Sequence, residues 1–105
     1  MEFNYYTDKA LKTLNTESNF LLNATLGLCG ETGEFADLVK KYLFQGHPQN
    51  LEKIKAELGD ILWYLNLACF ACGTSLEEVA VLNLEKLSRR YGEGFSTEKS
   101  LYRND

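Results

Sequence analysis

The chain has 105 residues with a formal net charge of −4, and 45% of its residues are hydrophobic. This length favours one domain near the lower end of the comfortable size range, where oligomerisation often completes the core. The acidic balance argues against broad affinity for nucleic acids or anionic membranes. There is no run of about 18 apolar residues and no basic leader followed by an apolar stretch, so we expect neither a membrane span nor a signal peptide. An odd count of three cysteines predicts buried free thiols in a cytoplasmic protein.

Apolar residues spaced three and four apart predict helices throughout, which places the chain in the all-α class. Short loops join the segments, so we expect an antiparallel bundle of about four helices. The predicted helices are Asn4–Leu14, Phe20–Phe44 capped by Ser18 or Asn19, Asn50–Cys72, and a fourth from the capping box Thr74-Ser75-Leu76-Glu77 to Tyr91. The inward residues predicted for the fourth helix are Leu76, Val79, Leu84 and Leu87. One domain is expected over residues 1–105, with 93–105 as a tail along the surface or a subunit interface.

Two pairs of acidic residues are the strongest candidates for a functional site in the sequence. Glu57 and Asp60 are three residues apart at the head of a long apolar run, so they share one helix face. Glu31 and Glu34 have the same spacing in the preceding predicted helix, where Glu31 falls within the apolar arc and Glu34 at its polar margin. One loop separates the two helices, so they can run antiparallel and oppose their acidic faces.

Four carboxylates brought together on facing helices repel one another unless a cation lies between them. Hard oxygen ligands of this kind suit Mg²⁺ or Mn²⁺, which keep water ligands and bind substrate phosphates. A single such pair is more often a solvated helix face, and this alternative stays open for each pair alone. A carboxylate di-iron bundle is excluded, because it uses Glu-x-x-His pairs and the only histidine, His47, lies in a loop.

Basic residues form a second candidate site. Asn83, Lys86 and Arg90 fall on one face of the fourth predicted helix, where they can bind phosphate oxygens. The alternative is a solvated basic face at a helix C-terminus. His47, beside the only proline, is either simply exposed or reaches a ligand.

Three glycines, Gly27, Gly30 and Gly33, interrupt the second predicted helix. Each lowers helix propensity by about 1 kcal/mol relative to alanine. They do not follow a strand, so they do not form a dinucleotide-binding loop. We expect them to allow close approach of another backbone or of a ligand.

Three stretches together resemble the MazG-like nucleotide pyrophosphohydrolases of the all-α NTP pyrophosphatase superfamily. They are Gly27–Lys41 (GLCGETGEFADLVKK), Glu57–Leu65 (ELGDILWYL) and Asn83–Tyr91 (NLEKLSRRY). The resemblance runs from about Tyr5 to Phe95. It implies a dimer or a dimer of dimers that cleaves a nucleoside triphosphate between its α and β phosphates, giving the monophosphate and pyrophosphate.

The resemblance also implies roles for particular residues. Glu31, Glu34, Glu57 and Asp60 correspond to the family's catalytic Mg²⁺ ligands, with one glutamate also orienting the attacking water. The residues that correspond to substrate contacts are Tyr64, Asn83, Lys86 and Arg90. Candidates for the nucleobase contact are Phe20, Leu21 and Trp63. The alternative function is a regulatory helical module that binds metal and nucleotide without turnover.

Overall fold

The computed structural model describes residues 1–92 and 97–102, which form five helices and no strand. The helices are α1 (Phe3–Leu11), α2 (Phe20–Phe44), α3 (Leu51–Ala71), α4 (Leu76–Tyr91) and α5 (Thr97–Leu101). The all-α prediction is therefore confirmed. Of the predicted tail, residues 93–96 and 103–105 lie outside the described residues.

The two long central helices begin where their capping residues predict. The side-chain oxygen of Asn19 accepts a hydrogen bond from the Leu22 amide at 3.1 Å, and that of Asn50 accepts one from the Lys53 amide at 3.1 Å. Each contact satisfies one of the amides that the first turn of a helix leaves without a partner. The bounds of α2 match the prediction, and α3 ends one residue before the predicted Cys72.

The first helix is shorter than predicted and ends at Leu11 instead of Leu14. The Ala10 carbonyl, which the Leu14 amide would need to continue the helix, accepts hydrogen bonds from the Thr13 hydroxyl at 2.7 Å and the Trp63 indole at 3.3 Å. Side chains that bond to nearby backbone groups compete with helix hydrogen bonds in this way. The Thr13 amide also donates to this carbonyl, at 3.0 Å, so both a local turn and a residue of α3 occupy it where α1 ends.

The cap of α4 lies one residue later than the predicted capping box. Ser75, not Thr74, is the N-cap, and its hydroxyl accepts a hydrogen bond from the Glu78 amide at 3.1 Å. The Thr74 hydroxyl instead donates to the Glu78 carboxylate. Both patterns fit the S/T-x-x-E signature, so sequence spacing does not distinguish them.

Helices α2 and α3 form an antiparallel hairpin that carries the predicted acidic pairs. Gly27 lies against Tyr64, and Glu31, one turn later on α2, lies beside Asp60, one turn earlier on α3. In the described part of the chain, α2 packs against α3 alone. The hairpin is therefore the structural unit that positions the candidate site.

Helix α1 runs along the other side of α3. The Thr7 hydroxyl donates to Asn66 Oδ1 at 2.9 Å, and Asn66 is only 1% exposed. Trp63, one turn before Asn66 on α3, donates its indole N–H to Thr13 Oγ1, just past the end of α1, at 2.9 Å. The single polar residue in the apolar half of α3 is thus satisfied by α1, as a buried amide requires.

Helix α4 leaves α3 at an angle of 95°. Its first residue, Leu76, is buried, and the Asn4 side chain donates to Glu77 at 2.8 Å. The prediction that the later apolar residues pack inward is wrong within one chain, since Val79 and Leu87 are exposed and Leu84 is 68% exposed. The crossing angle accounts for this exposure, since Leu76 and Glu77, which contact the rest of the chain, lie in the first turn of α4.

The chain is more open than a compact antiparallel bundle of about four helices would be. Its radius of gyration is 16.9 Å, against about 13 Å for a compact domain of 100 residues. Large apolar side chains lie exposed on every described helix, including Leu26, Leu62 and Leu82 on the three longest. Within residues 1–92 and 97–102, no single helix is long and apolar enough to cross a membrane, and α3 with α4 meets those criteria only when the bent pair is taken together.

All three cysteines are free thiols, as predicted, but only one is buried. Cys69 lies in the core, and burial raises its pKa. Cys29 and Cys72 are exposed, so the prediction of buried thiols is wrong for these two. Cys72 is exposed because it caps the end of α3 at the surface.

Candidate functional site

Three carboxylates meet where α2 and α3 face each other. Glu31 comes from α2, and Glu57 and Asp60 come from α3, one turn apart. One oxygen from each lies within 4.8 Å of the others. Glu31 and Glu57 are half-buried and Asp60 is exposed, so the group opens to solvent on one side. We call these three residues the acidic cluster.

Two oxygens of the acidic cluster are buried and have no hydrogen-bond partner in the described part of the chain. They are Oε2 of Glu31 and Oε2 of Glu57. A buried carboxylate oxygen without a partner is costly, and a second negative charge nearby adds to the cost. A divalent cation among the three carboxylates would satisfy both oxygens, and an all-oxygen donor set is the kind that Mg²⁺ or Mn²⁺ prefers. The residues present therefore fit such an ion.

The electrostatics of Glu57 reflect this crowding. A hydrogen bond shared with the Glu31 carboxyl raises the pKa of Glu57, and desolvation and the charges of Glu31 and Asp60 raise it further. Each of these causes disfavours a second negative charge at one place. Glu57 thus holds a proton more readily than an isolated glutamate, and a bound cation would replace that proton.

The fourth predicted carboxylate, Glu34, lies at the edge of the site. It is exposed and lines a groove together with Gly30, Gly33, Asp37, Leu38 and Glu57. A hydrogen bond to Glu34 acts on Glu57 in the opposite sense and lowers its pKa. The structure therefore places three of the four predicted carboxylates in one group and the fourth beside Glu57.

Aromatic side chains form the other wall of the site. Trp63 and Tyr64 line an open cleft of about 320 Å³ together with Glu31 and Asp60. Their rings meet edge to face, with centroids 5.0 Å apart and planes at 82°. The placement brings Tyr64, a predicted substrate contact, next to the acidic cluster.

The candidates for the nucleobase contact separate in the structure. Trp63 lines the cleft, whereas the Phe20 ring packs against Phe70 at 5.7 Å. Leu21 is exposed on the first turn of α2. Of the three candidates, only Trp63 is among the residues that line the cleft beside the carboxylates.

One residue near the site was missed from the sequence. Burial raises the pKa of Tyr6 on α1, and the negative charge of Asp60 raises it further. The Tyr6 phenol therefore lies close enough to Asp60 to sense its charge. In the sequence, Tyr6 is four residues before Ala10, which is buried, so the two share the inner face of α1. This spacing does not indicate which residue of another helix Tyr6 approaches.

The predicted basic residues are not brought to the acidic cluster within one chain. Asn83 and Lys86 line a separate groove on α4, together with Leu82. Arg90 is half-buried in the last turn of the same helix. Helix α4 makes no contact with α2 in the described residues, so these side chains lie apart from Glu31.

Comparison with known proteins identifies the family of the chain. The profile of the MazG nucleotide pyrophosphohydrolase domain matches residues 21–95, which include α2 from its second residue, α3 and α4. The Gene 37 protein of Mycobacterium phage L5 is 38% identical over 74 residues, and the match covers 67% of this chain and 65% of that protein's length. No solved structure gave a significant match. The chain therefore belongs to the MazG nucleotide pyrophosphohydrolase family.

Proposed function

We propose that this protein hydrolyses nucleoside triphosphates to the monophosphate and pyrophosphate in a reaction that depends on Mg²⁺, with Mn²⁺ as a possible substitute. The observation that carries the proposal is the acidic cluster with its two buried, unpartnered oxygens. The family to which the chain belongs supplies the reaction class. In this proposal the protein acts on free nucleotides, and neither a nucleic acid nor a membrane is its partner.

The proposed reaction is a substitution at the α phosphorus. A water oxygen forms a bond to the α phosphorus while the bond between the α phosphorus and the α–β bridging oxygen breaks. The diphosphate leaves with the bridging oxygen and the electron pair of the broken bond. When bound, a divalent cation lowers the pKa of a coordinated water and offsets charge on the phosphates. Glu31, Glu57 and Asp60 would hold the cation, and one of the glutamates would orient the water and accept its proton.

The aromatic wall suits the nucleoside half of the substrate. Trp63 and Tyr64 present apolar ring surface beside Glu31 and Asp60, and a nucleobase or sugar can pack against such surface. In this proposal the nucleoside lies on the Trp63 side of the carboxylates. The phosphates would then extend along the α2–α3 hairpin.

We further propose that the working protein is a dimer or a dimer of dimers. The open shape and the exposed leucines of α4 support an interface between copies. Asn83 and Lys86 lie on this exposed helix and away from the acidic cluster of their own chain. A second copy that packs against α4 would give these side chains a route to a neighbouring active site.

The experiment that tests the proposed function is a substrate panel. The protein is incubated with each common ribo- and deoxyribonucleoside triphosphate and Mg²⁺, and pyrophosphate and orthophosphate are measured separately. We expect pyrophosphate from at least one substrate and none after chelation of the metal. Release of orthophosphate alone would contradict the proposal, and metal-dependent nucleotide binding without turnover would favour the regulatory module instead.

A further inference from the structure

A small cavity lies at the loop end of the α2–α3 hairpin, one helical turn beyond the acidic cluster. Its volume is about 140 Å³. The residues that line it are Leu38, Lys41, Tyr42, His47, Pro48, Asn50, Lys53 and Ile54. Leu38 also lines the groove that holds Glu34 and Glu57, so the cavity and the groove adjoin.

The side chains around this cavity differ in charge from those of the acidic cluster. Lys41 from α2, His47 from the loop and Lys53 from α3 all contribute to the lining. No carboxylate is among the lining residues in the described part of the chain. Outside the lining, the carboxylate of Asp37 forms an ion pair with Lys41 Nζ at 2.9 Å. The cavity is therefore a basic site beside an acidic one.

The backbone fixes the position of His47. Gly46 has a φ of 72°, in the left-handed region that favours glycine, and it turns the chain back at the end of α2. As a result the amides of Gln45 and His47 both donate to the Lys41 carbonyl, at 3.1 and 3.2 Å. Pro48 then restricts the residue before it to extended conformations. The histidine is held next to Lys41 by main-chain contacts.

Lys53 is the cation best placed to bind an added anion. It lies in the first turn of α3, where the helix dipole also favours negative charge. Its Nζ makes no ion pair within residues 1–92 and 97–102, whereas Lys55, two residues later, pairs with Glu52 at 3.4 Å. The Lys53 ammonium group can therefore bind an anion without breaking an existing ion pair.

We infer that this cavity binds the terminal phosphate of the triphosphate substrate, which becomes the distal phosphate of the diphosphate leaving group. The inference rests on the proposed function. A cavity near 150 Å³ holds a molecule of about the size of benzene, so a single phosphate fits and a nucleoside does not. Glu57 and Lys53 are about one turn apart on α3, and a turn rises 5.4 Å, a span that a diphosphate can bridge. The substrate would thus run from Trp63, past the carboxylates, to Lys53.

The direct test measures pyrophosphate binding by calorimetry with Mg²⁺ present. We expect Lys53→Ala to weaken the affinity about tenfold, because it removes a charge-assisted contact to the phosphate, and His47→Ala to weaken it less. Lys55→Ala is the matched control, since it removes the same charge from the same helix outside the cavity, and its affinity should stay within twofold of the wild type. Equal effects of Lys53→Ala and Lys55→Ala would overturn the inference, because they would show only a general loss of positive charge.

A kinetic measurement separates this inference from the proposed function. If the protein turns over a triphosphate, Lys53→Ala should raise KM severalfold and weaken inhibition by pyrophosphate. Turnover with unchanged KM and unchanged pyrophosphate affinity in Lys53→Ala would overturn the cavity assignment alone. The remaining outcome is a wild type that binds pyrophosphate without turning over any triphosphate. If Lys53→Ala then weakens pyrophosphate binding and Lys55→Ala does not, the hydrolase proposal fails and the diphosphate site stands.

Discussion

The ring of Tyr64 on α3 lies against the backbone of α2 at Gly27, in the space that a Cβ at position 27 would occupy. The close approach brings the two helices together one turn from Glu31 and Asp60. Gly30, one turn further along α2, has open space where its Cβ would be. Close packing against Tyr64 therefore explains why position 27 is a glycine, whereas no such contact explains the glycine at position 30.

Gly27→Ala should destabilise the protein. The added methyl group overlaps the Tyr64 ring, and overpacking of this kind costs about 1–3 kcal/mol, partly offset by about 1 kcal/mol of improved helix propensity. Gly30→Ala is the control, and we expect it to be neutral or to stabilise by up to about 1 kcal/mol. Chemical denaturation of both variants measures the difference. Equal stability of the two would show that the Tyr64 contact is not tight.

Asp60→Asn should reduce hydrolysis by about a hundredfold or more, because it removes a charged oxygen ligand from the proposed metal site. The stability of the metal-free variant should equal or exceed that of the wild type, since one of three clustered negative charges is gone. The control is Glu52→Gln, which changes an exposed carboxylate that pairs with Lys55. Activity assays and denaturation in chelator check both parts, and unfolding of Asp60→Asn would instead assign it a structural role.

The raised pKa of Glu57 predicts a pH dependence for the metal-free protein. A carboxyl whose pKa is higher in the folded state stabilises the fold below its unfolded pKa, and this contribution is lost as the pH rises through the folded pKa. The free energy of unfolding should therefore fall over that range relative to Glu57→Gln, which lacks the titration. Denaturation at a series of pH values in chelator measures the difference between the two proteins.

The comparison with Glu57→Gln is needed because Asp37 acts in the opposite direction. A hydrogen bond from Lys41 lowers the pKa of Asp37, so its contribution is present above the unfolded pKa and is lost as the pH falls. The wild type and Glu57→Gln both contain Asp37, so its contribution cancels in the difference between their free energies of unfolding. Divalent cation affinity should rise with pH in the wild type, since the ion competes with the proton on Glu57. An affinity independent of pH would place the ion elsewhere.

Thr7→Val should cost about 1–3 kcal/mol, because it leaves the buried Asn66 oxygen without its hydroxyl donor. The double variant Thr7→Val with Asn66→Leu should lose less than the sum of the two single changes, since it removes both partners. Thermal or chemical denaturation of the four proteins completes the cycle. Strict additivity would mean that the hydrogen bond does not couple α1 to α3.

Leu84→Glu tests the proposed assembly. Leu84 is 68% exposed within one chain, so the substitution should leave the fold of that chain intact. A charge buried at an interface is costly, so we expect the variant to be a smaller species than the wild type in sedimentation experiments. Glu85→Gln, the neighbouring change on α4, is the control. A monomeric wild type would contradict the assembly proposal outright.

The hairpin was predictable from the sequence because its determinants are local. Asn19 and Asn50 are capping residues immediately before apolar periodic runs, and both cap in the structure. The same periodicity put Glu31 within the apolar arc and Glu34 at its polar margin, and in the structure Glu31 is half-buried while Glu34 is exposed. Opposed acidic faces then follow from one loop and an antiparallel return.

The features that could not be predicted from the sequence depend on contacts between residues far apart in the chain. The Trp63 indole donates to the Ala10 carbonyl at the end of α1, 53 residues earlier in the chain, and no local pattern reveals this contact. The exposure of Leu84 follows from the angle at which α4 leaves α3, and periodicity gives an apolar face without saying what covers it. The proximity of Tyr6 to Asp60 likewise needed the packing of α1. In the same way, the basic cavity emerged only when a loop and two helix ends were brought together.

The confinement of the carboxylates to one hairpin has a consequence for how the chain folds. Glu31, Glu34, Glu57 and Asp60 all come from α2 and α3, which are joined by a single short loop. Contacts so close in sequence can form early and quickly, before α1 and α4 dock from the two ends of the chain. A divalent cation present during synthesis would then stabilise the α2–α3 hairpin before the other helices dock. In native-state hydrogen exchange, added Mg²⁺ should protect the amides of α2 and α3 more than those of α4.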